Sequence, residues 1–120
     1  MKEKPVAIRI EVPEKFGPAY DSEDGRQWVE RRQRVSGAVL KTLIEVTKNI
    51  LSDEKAFAEV AKVLAKVFPA WNLEGDDGPL PQPWENAKAF HALFESDYRL
   101  MDWVGSLPFS TVGELLDLKN

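Results

Sequence analysis

The sequence predicts a mainly α fold, a compact bundle of four to five helices preceded by an N-terminal β-strand or short hairpin. Three observations predict it. Apolar residues recur at helical spacing through most of the chain after residue 26. Only one segment, near the N-terminus, alternates with period two. Proline and glycine gather at a few points that separate these segments. The division that follows is an N-terminal strand and loop arm, residues 1–25, and a helical domain, residues 26–120.

Val6-Ala7-Ile8-Arg9-Ile10-Glu11-Val12 places Val6, Ile8, Ile10 and Val12 on one face and Arg9 and Glu11 on the other. β-branched residues dominate the apolar face, as suits a half-buried strand bracketed by Pro5 and Pro13. Residues 13–25 read as a loop, because Pro13, Gly17, Pro18 and the polar run Asp21–Gly25 disfavour a regular element. Residues 26–51 read as a long helix, with Trp28, Val35, Val39, Leu43, Val46 and Ile50 at steps of three, four or seven. It either runs through Gly37 or breaks there into two shorter helices, and Asn49 is placed to end it.

Ser52 is placed to cap the next helix, whose apolar stripe is Ala56, Phe57, Val60, Ala61, Leu64, Val67 and Phe68 before Pro69 stops it. Residues 71–83 read as irregular, with Asp77-Gly78 as a turn. A helix then starts at Pro83 and runs to about Phe94. Ser96 is placed to cap a further helix that turns Tyr98, Met101 and Val104 inward, with Leu100 as a further candidate, and closes at Gly105 and Pro108. Ser110 caps a last short helix carrying Leu115, Leu116 and Leu118.

A single strand leaves unpaired backbone groups and must find a mate. Either residues 15–20 supply it in a short local hairpin, or another chain supplies it by β-augmentation, with self-association through the N-terminus as one outcome.

Composition bounds the chemistry. The chain of 120 residues holds 43% hydrophobic and 30% charged residues, ordinary for one globular domain. It has no cysteine and one histidine, His91. Disulfides, thiolate metal sites, iron–sulfur clusters and cysteine nucleophiles are thereby excluded, as is any multi-histidine metal site. His91 lies among apolar residues without a nucleophile motif, and reads as a partly buried histidine satisfied by a neighbour. No catalytic residue, metal or cofactor is expected, and the chain reads as non-enzymatic.

The net charge is −4, with the acidic excess in residues 61–120. A phosphate-gripping protein usually shows a basic balance, and here only Arg31, Arg32 and Arg34 cluster. They read as a solvated helix face, so nucleic acid is not the expected partner. Glu74, Asp76, Asp77 and Glu85 do not match EF-hand spacing and read as a solvated turn. The N-terminus lacks the continuous apolar run of a signal peptide, and no stretch approaches the roughly 18 apolar residues of a membrane helix. The expected partner is therefore not a membrane, and the expected compartment is the cytoplasm. Trp71 and Trp84 flank the proline-rich loop and should pin it, while tryptophan also serves as an interface anchor, as Trp84 or Trp103 would be if exposed.

The run from Trp71-Asn72-Leu73 through Asp76-Asp77-Gly78-Pro79-Leu80-Pro81 resembles a segment of small bacteriophage tail-assembly chaperones, in which a helix ends in tryptophan, an acidic Asp-Gly turn follows and a Leu-Pro step leads to a new helix. Phe90-x-x-Leu93-x-x-x-Asp97-x-x-Leu100-x-x-Trp103 is similar to the second half of that family, and Arg31-Arg32 with Val35-Ser36-Gly37 to its basic helix start. The resemblance covers about 70 residues, from Arg31 to Trp103, and leaves the N-terminal strand outside. It implies a largely helical protein that binds the tape-measure protein, the tail-tube protein or both, and keeps them soluble in the cytoplasm of an infected bacterial host. The expected contacts are the strand face, Val6, Ile8, Ile10 and Val12, with Trp71, Trp84 and Trp103. Two other readings stand beside it: a virion structural protein such as a head–tail connector or tail-completion component, and a small helical nucleic-acid-binding regulator.

Overall fold

The computed structural model describes residues 5–23, 25–48 and 54–117. It corrects the predicted fold class. The protein is mixed α/β, about 50% helix and 19% strand, with three small sheets and, among the described residues, five α-helices.

The expected strand forms as β1, Ala7–Glu11. Residues 15–20 do not supply its mate. Residues 14–16 and 18–20 are short 3-10 turns, and Asp21–Ser22 (β2) with Gly25–Arg26 (β3) forms a small hairpin. The mate is β4, Trp28–Arg32, within the stretch expected to be helical. β4 pairs antiparallel with β1, setting Ile10 opposite Val29 and Ile8 opposite Arg31. The physical reason is that β1 cannot bury its apolar face alone, and Val29 and Arg31 supply the inward face of a second strand. Helical spacing from Trp28 to Val35 was an accident of tryptophan and valine positions. On the outer face the Arg9 guanidinium lies 3.6 Å over the Trp28 ring and donates to Glu30 at 3.1 Å.

A helix does follow, α1, Gly37–Thr47. Gly37 is its first residue rather than its interior, and the Ser36 side chain caps it by accepting from Val39 N–H. The expected ending at Asn49 and the expected cap at Ser52 lie outside the described residues. Helix α2, Glu54–Leu64, ends short of Pro69: it carries Phe57, Val60, Ala61 and Leu64 of the expected stripe, all buried, while Val67 and Phe68 are buried just beyond it.

The loop at 71–83 is more regular than proline and glycine suggested. Ala70–Trp71 (β5) pairs with β4 and completes a sheet in the order β1-β4-β5. Glu74–Gly75 (β6) and Gly78–Pro79 (β7) make a hairpin around Asp76-Asp77, with Gly78 at φ +112°. Trp71 is buried, and its indole N–H donates to the Pro81 carbonyl at 2.9 Å, pinning the loop as expected.

Helix α3 spans Ala87–Ser96 and begins after Pro83, because a turn at Trp84-Glu85 intervenes. Asp97, not Ser96, caps α4, Tyr98–Ser106, by accepting from Leu100 N–H at 3.1 Å. The last helix, α5, is Val112–Asp117. Thr111 caps it rather than Ser110: its hydroxyl accepts from Glu114 N–H, and the Glu114 carboxylate accepts from Thr111 N–H. The core lies where sheet and helices meet and includes Ile10, Val12, Val29 and Trp71 of the sheet with Phe68, Phe90 and Leu93, the Trp71 ring lying 5.1 Å from Phe90. Among the described residues no helix is long and apolar enough to cross a membrane.

Candidate functional site

Helix α2 packs between α1 and α3, and α4 packs on α3, so that residues of α1, α2 and α4 line one open groove. Phe57, Val60 and Leu64 of α2 form its floor, spaced so that one helical face carries them all. On α4 the residues Tyr98, Met101, Asp102, Gly105 and Ser106 repeat at three- and four-residue steps and form one wall. Leu43, Ile44, Thr47 and Lys48 of α1 form the other. Phe94 closes one end and stacks between Phe57 at 4.8 Å and Tyr98 at 5.6 Å, while Phe109 borders the groove beyond α4. The enclosed volume is about 450 Å³.

The rim is apolar and wet. Ile44 is 52% exposed, Tyr98 55% and Phe109 45%. Tyr98 was expected to face inward, and the helical phase that buries Met101 and Val104 leaves it at the groove mouth. Two hydroxyls at the rim are turned back into their own helices. Thr47 donates its hydroxyl to the Leu43 carbonyl, and Ser106 donates to the Trp103 carbonyl at 2.6 Å. Lys48 and Asp102 are the charged groups among the lining residues. Gly105 adds room, since a Cβ built there meets nothing within 4 Å. The groove lining is thus mostly apolar, with its charged groups limited to Lys48 and Asp102.

The residues expected to make partner contacts lie elsewhere. Ile10, Val12 and Trp71 are buried in the core, and Ile8 is half-buried against it. Val6 is 74% exposed at the start of β1. Trp84 is half-buried in the turn before α3. Trp103 is half-buried, with its ring 6.2 Å from Phe16. The structure brings Ile10, Val12 and Trp103 together around a broad cleft under the loop at 13–26, where acidic Glu11, Glu14 and Asp21 mix with Lys15, Arg26 and Arg99. Arg26 is committed there to the Val12, Gly17 and Pro13 carbonyls and to Asp21.

Two other sequence features resolve into structure. Arg31 of the basic cluster is only 2% exposed and donates to the carbonyls of Arg32 at 2.9 Å, Leu107 at 3.0 Å and Ser110 at 2.5 Å. Burial lowers its pKa from the ordinary value, but a guanidinium stays charged at neutral pH. His91 packs edge-on against Phe57 at 4.9 Å. Among the described residues no group of three or more His, Cys, Asp or Glu is placed to hold a metal ion.

The groove residues were not picked out from sequence. The available signal was Ile44, which sits beside Leu43 yet off the Val39–Leu43–Val46 stripe, and Phe109, an aromatic directly after Pro108. No family model, curated protein or solved structure matches the chain.

Proposed function

We propose that the protein is a non-enzymatic assembly factor whose groove between α1 and α4 holds an apolar helical segment of a partner protein. The observation that carries this reading is convergence. Of the four large hydrophobic side chains exposed among the described residues, Ile44, Tyr98 and Phe109 border one groove, and only Val6 lies apart. A small ligand would fill the floor and leave these rim groups in water, whereas a helix laid along the trough covers both. Along α4, Tyr98 to Ser106 offers about 12 Å, or roughly two helical turns of contact.

The resemblance to phage tail-assembly chaperones supports a particular partner: the tape-measure protein, the tail-tube protein or both, held soluble in the cytoplasm of an infected bacterial host. Apolar helical segments awaiting assembly need such cover. The same reading includes self-association of the factor through its N-terminal strand.

The test is co-expression with a tape-measure protein, with solubility and co-purification as readouts. A soluble complex that is lost in Gly105→Leu, which fills the groove from a position with free space, is the expected result. No complex and no gain in solubility overturns the tail-chaperone reading, and a complex indifferent to Gly105→Leu overturns the groove.

A further inference from the structure

The two edges of the main sheet differ. At β5 the outward-facing N–H and C=O belong to Trp71, and the Gln82 side-chain amide satisfies both, accepting at 3.4 Å and donating at 2.8 Å. That edge is masked. At β1 the phase is set by Val12, which donates to the Gln27 carbonyl at 2.9 Å, and by Gln33, which donates to the Val6 carbonyl at 2.9 Å. Even-numbered residues therefore bond toward β4, and the backbone groups of Ala7, Arg9 and Glu11 point away from it. No backbone bond from another described residue reaches those three. The Arg9 and Glu11 side chains are exposed beside them.

We infer that this edge pairs antiparallel with the same edge of a second copy, about a two-fold axis beside Ile10, so that Arg9 of each protomer lies opposite Glu11 of its partner. The inference rests on the strand self-association proposed above and specifies its register. In an antiparallel pair the outward-facing residues exchange both backbone bonds, so the contact must match Ala7, Arg9 or Glu11 with one another. Charge selects among the matches. The register about Ile10 gives two opposite-charge pairs. Sliding by one two-residue step sets Arg9 against Arg9 in one direction and Glu11 against Glu11 in the other. Arg9 uses only Nη2 for Glu30, which leaves the rest of its fork for the partner's carboxylate.

A second copy suits this edge for a further reason. An isologous contact consumes the open edge of both protomers, and the masked β5 edges end the joined sheet. Pro5 and Pro13 bracket the pairing and keep it short. So short an interface lies at the weak end of protein contacts, below about 1,200 Å² in total, and gives a reversible dimer at high concentration.

Sedimentation equilibrium of the full chain from about 10 μM to 1 mM tests this. The expected result is a monomer–dimer equilibrium whose dissociation constant rises about tenfold or more in Glu11→Arg, which faces like charges across both contacts. The double variant R9E/E11R restores opposite pairs and brings the constant back toward wild type, while circular dichroism confirms that each variant is folded. A third variant, Arg9→Pro, removes an outward N–H that β4 does not use, and should abolish the dimer. A wild-type chain monomeric at 1 mM overturns both the strand-edge reading and the register, whether or not the edge captures an extended segment of some other protein. A dimer abolished by Arg9→Pro but indifferent to Glu11→Arg overturns the register alone.

Discussion

The sheet side and the helical side of the core meet the same difficulty in opposite ways. Each brings together elements far apart in the chain. On the sheet side, the space between β4 and the segment after α4 is filled by the Arg31 side chain, whose guanidinium supplies donors to the carbonyls of Leu107 and Ser110. On the helical side, the space between α1 and α4 is left open, and its hydroxyls bond back into their own helices. The difference teaches that closure here depends on matching backbone carbonyls, which are obligatory acceptors once buried. Where no carbonyl was stranded, nothing required the seam to close, and an apolar surface remained open.

The comparison breaks most readily at Arg31. Arg31→Met removes the donors and leaves buried carbonyls unpaired, so urea denaturation should show a loss of about 2–4 kcal/mol. Ile44→Ser, on the open side, should change stability by no more than about 0.5 kcal/mol while weakening partner binding. Next in size is Asp97→Ala, which removes the α4 cap and also the acceptor of the Tyr20 hydroxyl. It should cost about 1–2 kcal/mol in the same measurement.

Gly105→Leu sharpens the comparison from the other direction. Replacing an interior helical glycine where the space is free should raise stability by up to about 1 kcal/mol, and the same change should abolish groove binding. A variant that is more stable and yet inactive separates groove from scaffold.

The smallest effect is alkaline. Tyr20 has its pKa raised above 10.0, first by burial, then by its hydrogen bond to Asp97 and by that carboxylate's charge. The folded state therefore favours the neutral phenol. Its contribution is complete below the unfolded pKa and is lost as pH rises through the folded one. Denaturation midpoints measured from about pH 8 upward should fall less steeply above pH 10 in Tyr20→Phe than in wild type.

Single elements could be read from residue order, the fold class and the groove could not, and the failures have physical causes. β1 was legible because Ile8, Ile10 and Val12 alternate with charges between two prolines. The α2 stripe was legible for the corresponding helical reason. β4 was not, because its inward positions are Val29 and Arg31, and a buried arginine breaks the apolar alternation that marks a strand. Its burial depends on carbonyls 76 and 79 residues downstream, which no local pattern records. The hairpin of β6 and β7 was hidden by the same glycines and proline that signalled a loop. The groove was illegible because its defining property is a gap between three helices. Tyr98, read as inward from its spacing to Met101 and Val104, sits 55% exposed at the rim of that gap.

The Arg31 tie also orders events in time. During synthesis, β1 and β4 emerge early, and β5 waits only for residues near 70. The guanidinium at the heart of that sheet finds the Arg32 and Gln33 carbonyls beside it, but its other two acceptors, Leu107 and Ser110, arrive much later. Until then it keeps its water, and the inner face of the sheet cannot dry around it. The fastening of β4 thus draws on carbonyls 76 and 79 residues downstream of Arg31.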